Sequence, residues 1–184
     1  SAKPFSMNAF MGNATKKVVQ VGSWLRRLHS IYYLPVTRLR RAIAHQHVPY
    51  IAELFAAEKQ AFLLNPDYGQ VETLKYLSAD EYDDLLAGNI VFLDLYDSSA
   101  NNTILECIVR ATPVLVNPLP AVKEYLGEGY PFYYVSRSQA ARKVEDVNLI
   151  ESAHTYLANH PIRNLLTREQ FRDSVTSSEI YRNL

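Results

Sequence analysis

The amino-acid sequence predicts an α/β fold, with a Rossmann-like, doubly wound and mostly parallel sheet and further helices at the C-terminus. Short apolar runs alternate with helical stretches along the middle of the chain, an order typical of parallel sheets. The run at 90–95 is almost continuously apolar, as in a strand that helices cover on both faces. The 184 residues fit one domain, expected over 16–184, with 1–15 as an irregular lead-in or linker.

The strands are predicted from short runs rich in β-branched and aromatic residues that end near turn-forming residues. Residues 24–44 mix basic and apolar residues and predict no regular element. The predicted strands are 17–22, 71–77, 90–95, 113–116 and 131–135. Ligands of a doubly wound sheet bind beyond the carboxyl ends of its strands, which makes the loops at those ends the candidate binding loops. These loops follow Val21, Leu77, Leu95 and Val116.

The helices are predicted where apolar residues recur at intervals of three or four. Ser78 and Glu81 form a capping box at the start of one helix. This helix explains the acidic residues at 80–84, because carboxylates in the first turns favour the helix dipole, and a metal site there is the weaker alternative. Ser98 or Ser99 is expected to cap a later helix. The predicted helices are 50–62, 80–87, one that ends at 110, 119–126, 139–144, 147–159 and 167–177.

Charge and cysteine content restrict the function. The 19 basic and 19 acidic residues give zero formal net charge, so no overall field attracts nucleic acid or an anionic membrane. Cys107 is the only cysteine, which excludes an intrachain disulfide and favours a reducing compartment. No run approaches the roughly 20 apolar residues of a membrane span, and the first residues lack a signal-peptide pattern. We therefore expect a cytoplasmic protein without a transmembrane segment or nucleic-acid partner.

The segment 93–106 is the strongest candidate for chemistry. A buried strand ends there in a loop of small polar residues that leads directly into a helix. Free amides and the helix dipole at such a terminus favour a phosphate. Glu106, about one turn into the helix, is placed to accept hydrogen bonds from two ribose hydroxyls. The alternative is an ordinary polar turn before a capped helix. The side chains that add hydrogen-bond donors at this rim are Asn101, Asn102 and Thr103.

The continuation of this segment carries a longer pattern. Glu106 is followed by a small residue, by Pro113-Val114 with its strand, by a turn, and by a helix that includes Glu124. This spacing resembles the donor-binding half of the GT-B glycosyltransferases, especially the group 1 class. The resemblance covers residues 71–135 well, and the first strand with its glycine loop more loosely.

The resemblance implies that Glu106 binds the ribose of a nucleotide-sugar donor and that the backbone around Tyr76 and Leu77 flanks the base. The loop before Glu106 would hold the diphosphate and the sugar. The family usually has a second glutamate eight residues earlier, where this chain has Ser98. The acidic contact to the sugar therefore moves to Asp97 or is lost, which leaves the stereochemistry of transfer open. The implied loop residues are Ser98, Ser99, Asn101, Asn102 and Thr103.

The loop after the first predicted strand carries the second candidate group. Gly22 and Ser23 end the strand, and a glycine there allows the close approach of a ligand. A basic residue of this loop commonly neutralises the leaving nucleoside diphosphate in GT-B enzymes in place of a metal, so the resemblance gives that role to Arg26 or Arg27. The alternative for each arginine is an exposed place on an amphipathic turn. Trp24 is expected in the core or at an interface.

Together these features predict a glycosyltransferase domain that binds a UDP- or GDP-linked sugar and transfers the sugar to an acceptor hydroxyl of a carbohydrate or glycoconjugate. No metal or other cofactor is expected. GT-B enzymes pair two Rossmann-like domains, so the resemblance implies an N-terminal partner domain. The main alternative is a non-catalytic Rossmann-like binding module. A metal site at His45 and His47 lacks a nearby third ligand, and a phosphatase-like hydrolase lacks a clear nucleophile.

Overall fold

A computed structural model describes residues 2–44, 50–75, 77–99 and 101–178. Its centre is a sheet of five parallel strands in the order β3-β2-β1-β4-β5, with helices around it. The predicted α/β, Rossmann-like fold is therefore confirmed. The strands are β1 (Lys17–Val21), β2 (Arg40–Ala44), β3 (Val71–Leu74), β4 (Ile90–Leu93) and β5 (Val114–Val116).

The strand order places the topological switch between β1 and β4. β1 pairs with β2 on one side and with β4 on the other, so that Val19 lies opposite both Ala42 and Val91. The chain continues outward from β2 to β3 and then crosses to the other half of the sheet. Because the connections leave β1 and β4 in opposite directions, a crevice forms at the carboxyl ends of these two strands.

Six of the nine described helices begin at a side chain that accepts from a free backbone amide of the first turn. The predicted capping box is present: Ser78 Oγ accepts from the Glu81 amide, and the Glu81 carboxylate accepts from the Ser78 amide at 2.7 Å. No described helix has both the length and the hydropathy that a bilayer crossing requires. The helices are α1 (Met7–Gly12), α2 (Ile51–Ala61), α3 (Ala79–Gly88), α4 (Asn102–Arg110), α5 (Pro120–Leu126), α6 (Arg137–Val144), α7 (Val147–Ala158), α8 (Ile162–Leu165) and α9 (Arg168–Thr176).

The cap of α4 differs from the prediction. Asn101 is the capping residue, and its Oδ1 accepts from the Ile104 amide. The prediction of Ser98 or Ser99 as the cap is therefore wrong. The loop after β4 is longer than the sequence indicated, because the strand ends at Leu93 and the helix begins only after Asn101.

Residues 131–135 do not form the predicted strand. One parallel bridge joins Tyr133 to Val116, and there is no ladder. The Tyr134 hydroxyl donates instead to the Leu93 carbonyl of the sheet at 3.0 Å, and the Tyr133 hydroxyl donates to the Gly127 carbonyl after α5 at 2.8 Å. Just before the segment, the Tyr130 hydroxyl donates to the Val114 carbonyl of the sheet at 2.9 Å. The aromatic run that resembles a strand in sequence is a layer of side chains packed on the sheet.

The segment 24–44, for which no element was predicted, contains β2. Arg40 and Arg41 open this strand at the amino edge of the sheet, where Arg40 is exposed. Arg41 Nη1 donates to the Tyr32 carbonyl at 2.7 Å and so holds the preceding short 3-10 helix (Ser30–Tyr33) against the strand. Because the strand begins with two arginines, its sequence lacks the continuous apolar run from which a buried strand is predicted, although the residues that follow the arginines are buried.

The first residues belong to the domain, so their description as an irregular lead-in is wrong for residues 5–12. α1 lies there, and Phe5 and Phe10 are buried in the core. The Phe5 amide donates to the Arg110 carbonyl at 2.8 Å, and the Ser6 amide donates to the Ala87 carbonyl. These bonds satisfy carbonyl groups in the last turns of α3 and α4.

Glu145, just after α6, ties a loop to the end of that helix. Its carboxylate accepts hydrogen bonds from the amides of Thr37 and Arg38. Burial alone raises the pKa of Glu145, but these amide bonds favour the charged form more strongly and the net pKa is lowered.

Replacing Glu145 with glutamine is expected to lower the free energy of unfolding by about 0.5–1 kcal/mol at neutral pH, a modest value because the carboxylate is largely solvated. A carboxylate whose pKa is lower in the folded state stabilises the fold at pH values above its unfolded pKa of 4.5. This stabilisation is lost as the pH falls through the folded-state pKa. The difference between variant and parent should therefore shrink as the pH falls below about 4.5. Urea unfolding across that range measures it, and a difference independent of pH contradicts this assignment.

Candidate functional site

A cavity of about 760 Å³ opens at the carboxyl edge of the sheet, beside the switch between β1 and β4. Its walls come from the loops that leave β1, β3 and β4 and from the first residues of α3 and α4. The structure thus brings together side chains from three separate loops. The predicted site residues that line the cavity are Gly22, Ser23, Arg26, Leu77, Asp97, Ser98, Ser99, Asn101, Asn102, Thr103 and Glu106.

Arg26 is a buried cation in the cavity wall. The residue is 9% exposed, and Nη2 donates to Thr103 Oγ1 at 2.8 Å, while the buried Nε has no hydrogen-bond partner. Among the ion pairs of the described ranges, none includes Arg26. Burial lowers the pKa of Arg26, because water no longer solvates the charge. A guanidinium in this state favours an anionic ligand, which would restore the missing compensation.

Gly22 makes room for the Arg26 side chain. Its φ of +71° lies in the left-handed region, which glycine adopts without steric cost. A Cβ at this position would lie 2.9 Å from Arg26 Cζ and closer still to Nη1. The Gly22 amide donates to the Ala44 carbonyl at 2.8 Å, so the turn is fixed to the neighbouring strand. The glycine therefore sets the position of the arginine, in addition to the access for a ligand that the sequence indicated.

The loop after β4 supplies a second unsatisfied group. Ser98 is 2% exposed, and its Oγ is buried without a hydrogen-bond partner. The Ser98 amide donates to Asp97 Oδ1 at 2.7 Å, and Asp97 itself is exposed at the cavity rim. The first turn of α4 follows, with Asn102 and Thr103 in the wall. Helix amides at this position have no intrahelical acceptor and carry the positive end of the helix dipole.

Glu106 lies one turn into α4, also in the wall. Its Oε2 accepts from the hydroxyl of Tyr82 on α3 at 2.9 Å, which orients the carboxylate and leaves it further acceptor capacity. Burial, followed by the charge of Glu106, raises the pKa of Tyr82 well above its usual value. The tyrosine therefore keeps its proton and continues to donate. Behind this pair, Cys107 is fully buried, and burial raises its thiol pKa, so it is not a nucleophile.

Arg27 lies outside the cavity. Its Nη1 donates to Asp94 Oδ1 at 2.7 Å, and its guanidinium lies 4.7 Å from the centroid of the Tyr96 ring. Arg26 forms an antiparallel bridge with Leu95, and successive side chains of extended backbone point in opposite directions. Of the two predicted arginines, the structure therefore brings Arg26 to the cavity and pairs Arg27 with a buried acid.

Three aromatic residues of the wall were not among the predicted site residues: Trp24, Tyr50 and Tyr82. Trp24 is 70% exposed, so of its two predicted places the core is wrong, and a place at an interface stays a prediction. The sequence did contain a signal that Trp24 lies at the cavity, because it stands two residues after the glycine that follows β1. Tyr82 carried a second signal: it lies one turn beyond the capping residue of a helix that begins at the same edge.

Some predictions fall elsewhere. Tyr76, His45 and His47 lie outside the described residues. Over the described ranges, no three histidine, cysteine or acidic side chains are grouped as a metal site would require. Two members of the acidic cluster at 80–84 form ion pairs, Asp83 with Arg110 and Asp84 with Lys3. The capping box and these ion pairs account for the acidic cluster as a structural feature.

The cavity thus combines an unpaired cation, an unpaired hydroxyl, a helix N-terminus and a carboxylate one turn away, with apolar and aromatic side chains at its other end. This arrangement favours an elongated ligand that has an anionic portion, a polyol portion and an apolar or aromatic portion. The chain matches no protein-family model, and no curated protein is significantly similar to it in sequence.

Proposed function

We propose that this domain binds the nucleotide-diphosphate sugar of a glycosyltransferase reaction, with UDP or GDP as the carrier nucleotide. The observation that carries the proposal is the buried Arg26 guanidinium, which faces the cavity without an acidic partner within the described ranges. The GT-B resemblance noted in the sequence supports the same ligand and gives Glu106 its role.

The diphosphate would bind between β1 and α4. Arg26 and Ser98 both line this wall and each has a buried polar atom without a partner among the described residues, and a guanidinium and a hydroxyl both donate to phosphate oxygens. The α4 amides and the Asn101 and Asn102 side chains lie at the same end. A doubly charged diphosphate would neutralise Arg26 and accept hydrogen bonds from the donors exposed at this end of the cavity.

The nucleoside would extend from the diphosphate toward α3. Glu106 is placed to accept hydrogen bonds from the two ribose hydroxyls, and Tyr82 holds its carboxylate in position. Beyond it, Leu74 and Leu77 provide apolar surface for the base. The base would pack on this end of the cavity, whose volume of about 760 Å³ is in the range for ligands of this size.

Transfer requires a bond between the acceptor oxygen and the anomeric carbon to form as the bond from that carbon to the diphosphate oxygen breaks. The diphosphate leaves with the electron pair, and Arg26 with the α4 amides would stabilise the charge that it gains. The acceptor proton passes to a base that a second, N-terminal domain would supply. Asp97, exposed at the rim, is the acid of the loop that would hold the sugar.

The surface around the cavity mouth supports a partner there. Trp24 and Tyr50, which both line the cavity, are 70% and 48% exposed, an aromatic surface suited to a partner. A second Rossmann-like domain or a carbohydrate acceptor would cover them. The lone thiol of Cys107 is consistent with a cytoplasmic location for this proposed enzyme.

A non-catalytic binding module is the second candidate, and Ser98 favours it. The family places a glutamate at this position near the reacting centre, and serine cannot act as an acid or a base there. In this alternative the nucleotide would bind by the same contacts and no sugar would be transferred.

The test is calorimetric titration with UDP, GDP and their sugar derivatives. One of the diphosphates is expected to bind, and its monophosphate to bind at least about tenfold more weakly, because the second phosphate contacts Arg26. Replacing Glu106 with glutamine is expected to abolish the preference for the ribonucleotide over its 2′-deoxy form. Glu151→Gln, at an exposed position of α7, is the matched control and should keep that preference.

Failure of every nucleotide to bind would contradict the proposed function. Binding without release of nucleoside diphosphate, tested with acceptor sugars and with the upstream part of the natural protein where one exists, would support the non-catalytic module.

A further inference from the structure

A single carboxylate on α2 joins the two loops that carry the polar groups of the cavity. Glu58 Oε1 accepts from the Leu28 amide at 3.1 Å and from the Tyr96 hydroxyl at 2.8 Å. Glu58 Oε2 accepts from the His29 amide at 2.9 Å and lies 2.7 Å from His29 Nδ1. The side chain is 9% exposed. Leu28, His29, Glu58 and Tyr96 are called the Glu58 cluster below.

The Glu58 cluster is directly connected to the cavity wall. Leu28 lies two residues after Arg26, and Tyr96 lies two residues before Ser98. The two loops are also bonded to each other, because the Tyr96 amide donates to the Leu25 carbonyl at 2.9 Å. Glu58 therefore holds α2 against a pair of loops that are already fixed relative to one another.

α2 has few other attachments in the described part of the chain. None of its residues is buried, and Phe55 is the one that packs partly against the core, with its ring centroid 4.9 Å from that of His29. Most helices of a domain are fixed by an apolar face. Because no residue of α2 is buried, the hydrogen bonds of the Glu58 cluster contribute strongly to where the helix lies, together with the ring contact of Phe55.

The position of α2 matters because the residue just before it lines the cavity. Tyr50 precedes the helix, and its carbonyl accepts from the Leu54 amide at 3.0 Å, so Tyr50 moves with α2. Eight residues separate Tyr50 from Glu58, about 12 Å along a helix axis. A small rotation of α2 at the Glu58 cluster would therefore displace Tyr50 in the cavity wall.

We propose that Glu58 is a positioning residue of the cavity: it fixes α2, and with it Tyr50, against the loops that carry Arg26 and Ser98. The expected effect of Glu58 on nucleotide affinity rests on the proposed function. The ordering of the loops by Glu58 does not depend on that function. The hydrogen bond from Tyr96 to Glu58 is maintained, because burial and then the bond to Glu58 raise the pKa of Tyr96 to about 12, so that the hydroxyl keeps its proton.

The first test uses no ligand. In Glu58→Ala, the Leu28 and His29 amides are expected to exchange with solvent at least about tenfold faster by NMR, because they lose their acceptor. Trp24, the only tryptophan of the chain, lies in the same loop, and its fluorescence anisotropy should fall. Glu58→Gln keeps one acceptor oxygen, so its amide exchange rates and its anisotropy should lie between those of the parent and those of Glu58→Ala. Glu53→Gln, exposed on the same helix, should behave like the parent.

The second test separates positioning from stability. UDP and GDP affinities are measured well below the melting temperature for Glu58→Ala, Glu58→Gln and Val144→Ala, a core variant on α6 that loses stability away from the cavity. Glu58→Ala is expected to weaken binding at least about tenfold, glutamine to restore part of the loss, and Val144→Ala to have no effect.

The outcomes distinguish the two proposals. Unchanged exchange and anisotropy in Glu58→Ala overturn the role of Glu58 whether or not nucleotides bind. Faster exchange with unchanged affinity also overturns it, and leaves the proposed function intact. If the parent binds no nucleotide, the proposed function fails, and the ligand-free measurements alone decide whether Glu58 orders the loops.

Discussion

Replacing Arg26 with methionine is expected to remove nucleotide binding while making the ligand-free protein more stable. Affinity should fall by about 30-fold or more, because truncating one partner of a buried, hydrogen-bonded charge pair costs about 2–5 kcal/mol. In the unliganded protein Arg26 instead destabilises the fold, because it is a buried guanidinium whose Nε has no partner among the described residues. Methionine fills a similar volume without that charge, and the free energy of unfolding should rise by about 1 kcal/mol.

Calorimetry with UDP and GDP measures the loss of affinity, and thermal unfolding without ligand measures the gain, expected at about 2–4 °C for a domain of this size. Arg142→Met, at an exposed position of α6, is the matched control and should change neither quantity. A lower melting temperature with unchanged affinity would show instead that Arg26 holds the loop through Thr103 and takes no part in binding.

Replacing Gly22 with alanine is expected to have nearly as large an effect on binding through displacement of Arg26. The new Cβ would lie 2.9 Å from Arg26 Cζ, a distance that real Cβ contacts do not show, so the guanidinium has to leave its place. The left-handed backbone adds a cost of about 1–2 kcal/mol to the folded state. The variant should lose both affinity and stability, which distinguishes it from the methionine variant of Arg26.

A double-mutant cycle tests this reason. With Arg26 already replaced by methionine, the Gly22→Ala change should cost only the backbone strain and have no further effect on binding, because the displaced group is absent. Gly88→Ala is a suitable control, since a Cβ there meets no atom within 4 Å and its φ is not positive. Additive losses of affinity in the cycle would show that Gly22 contacts the ligand independently of Arg26.

The central part of the sheet could be predicted because its strands are buried on both faces and therefore carry their signal in consecutive residues. β4, with four buried apolar residues, is the clearest example. β2 could not be predicted, because Arg40 and Arg41 are accommodated by a backbone carbonyl and by solvent at the sheet edge. Residues 131–135 show the opposite case. Tyrosines with high strand propensity are held by hydroxyl bonds to the sheet and form no ladder.

The loops of the candidate site could be predicted from local features: a glycine after β1, and a polar loop that leads into a helix after β4. The choice between Arg26 and Arg27 could not, because it depends on the bridge to Leu95, a contact between distant parts of the chain. The exposed position of Trp24 could not be predicted for a related reason. Its exposure follows from the loop path, and a large aromatic residue is buried in most other settings.

The position of β1 at the centre of the sheet also affects how the chain reaches its native state. β1 can pair with β2 as soon as Ala44 is available, but its other edge pairs only once Ile90 is available, so the first strand of this sheet in chain order is among the last to be fully covered. Parallel pairings between such distant segments fold slowly and expose apolar edges in the interval. Val18, Val19 and Val21 form that edge, and the nascent chain is most prone to aggregation while they await β4.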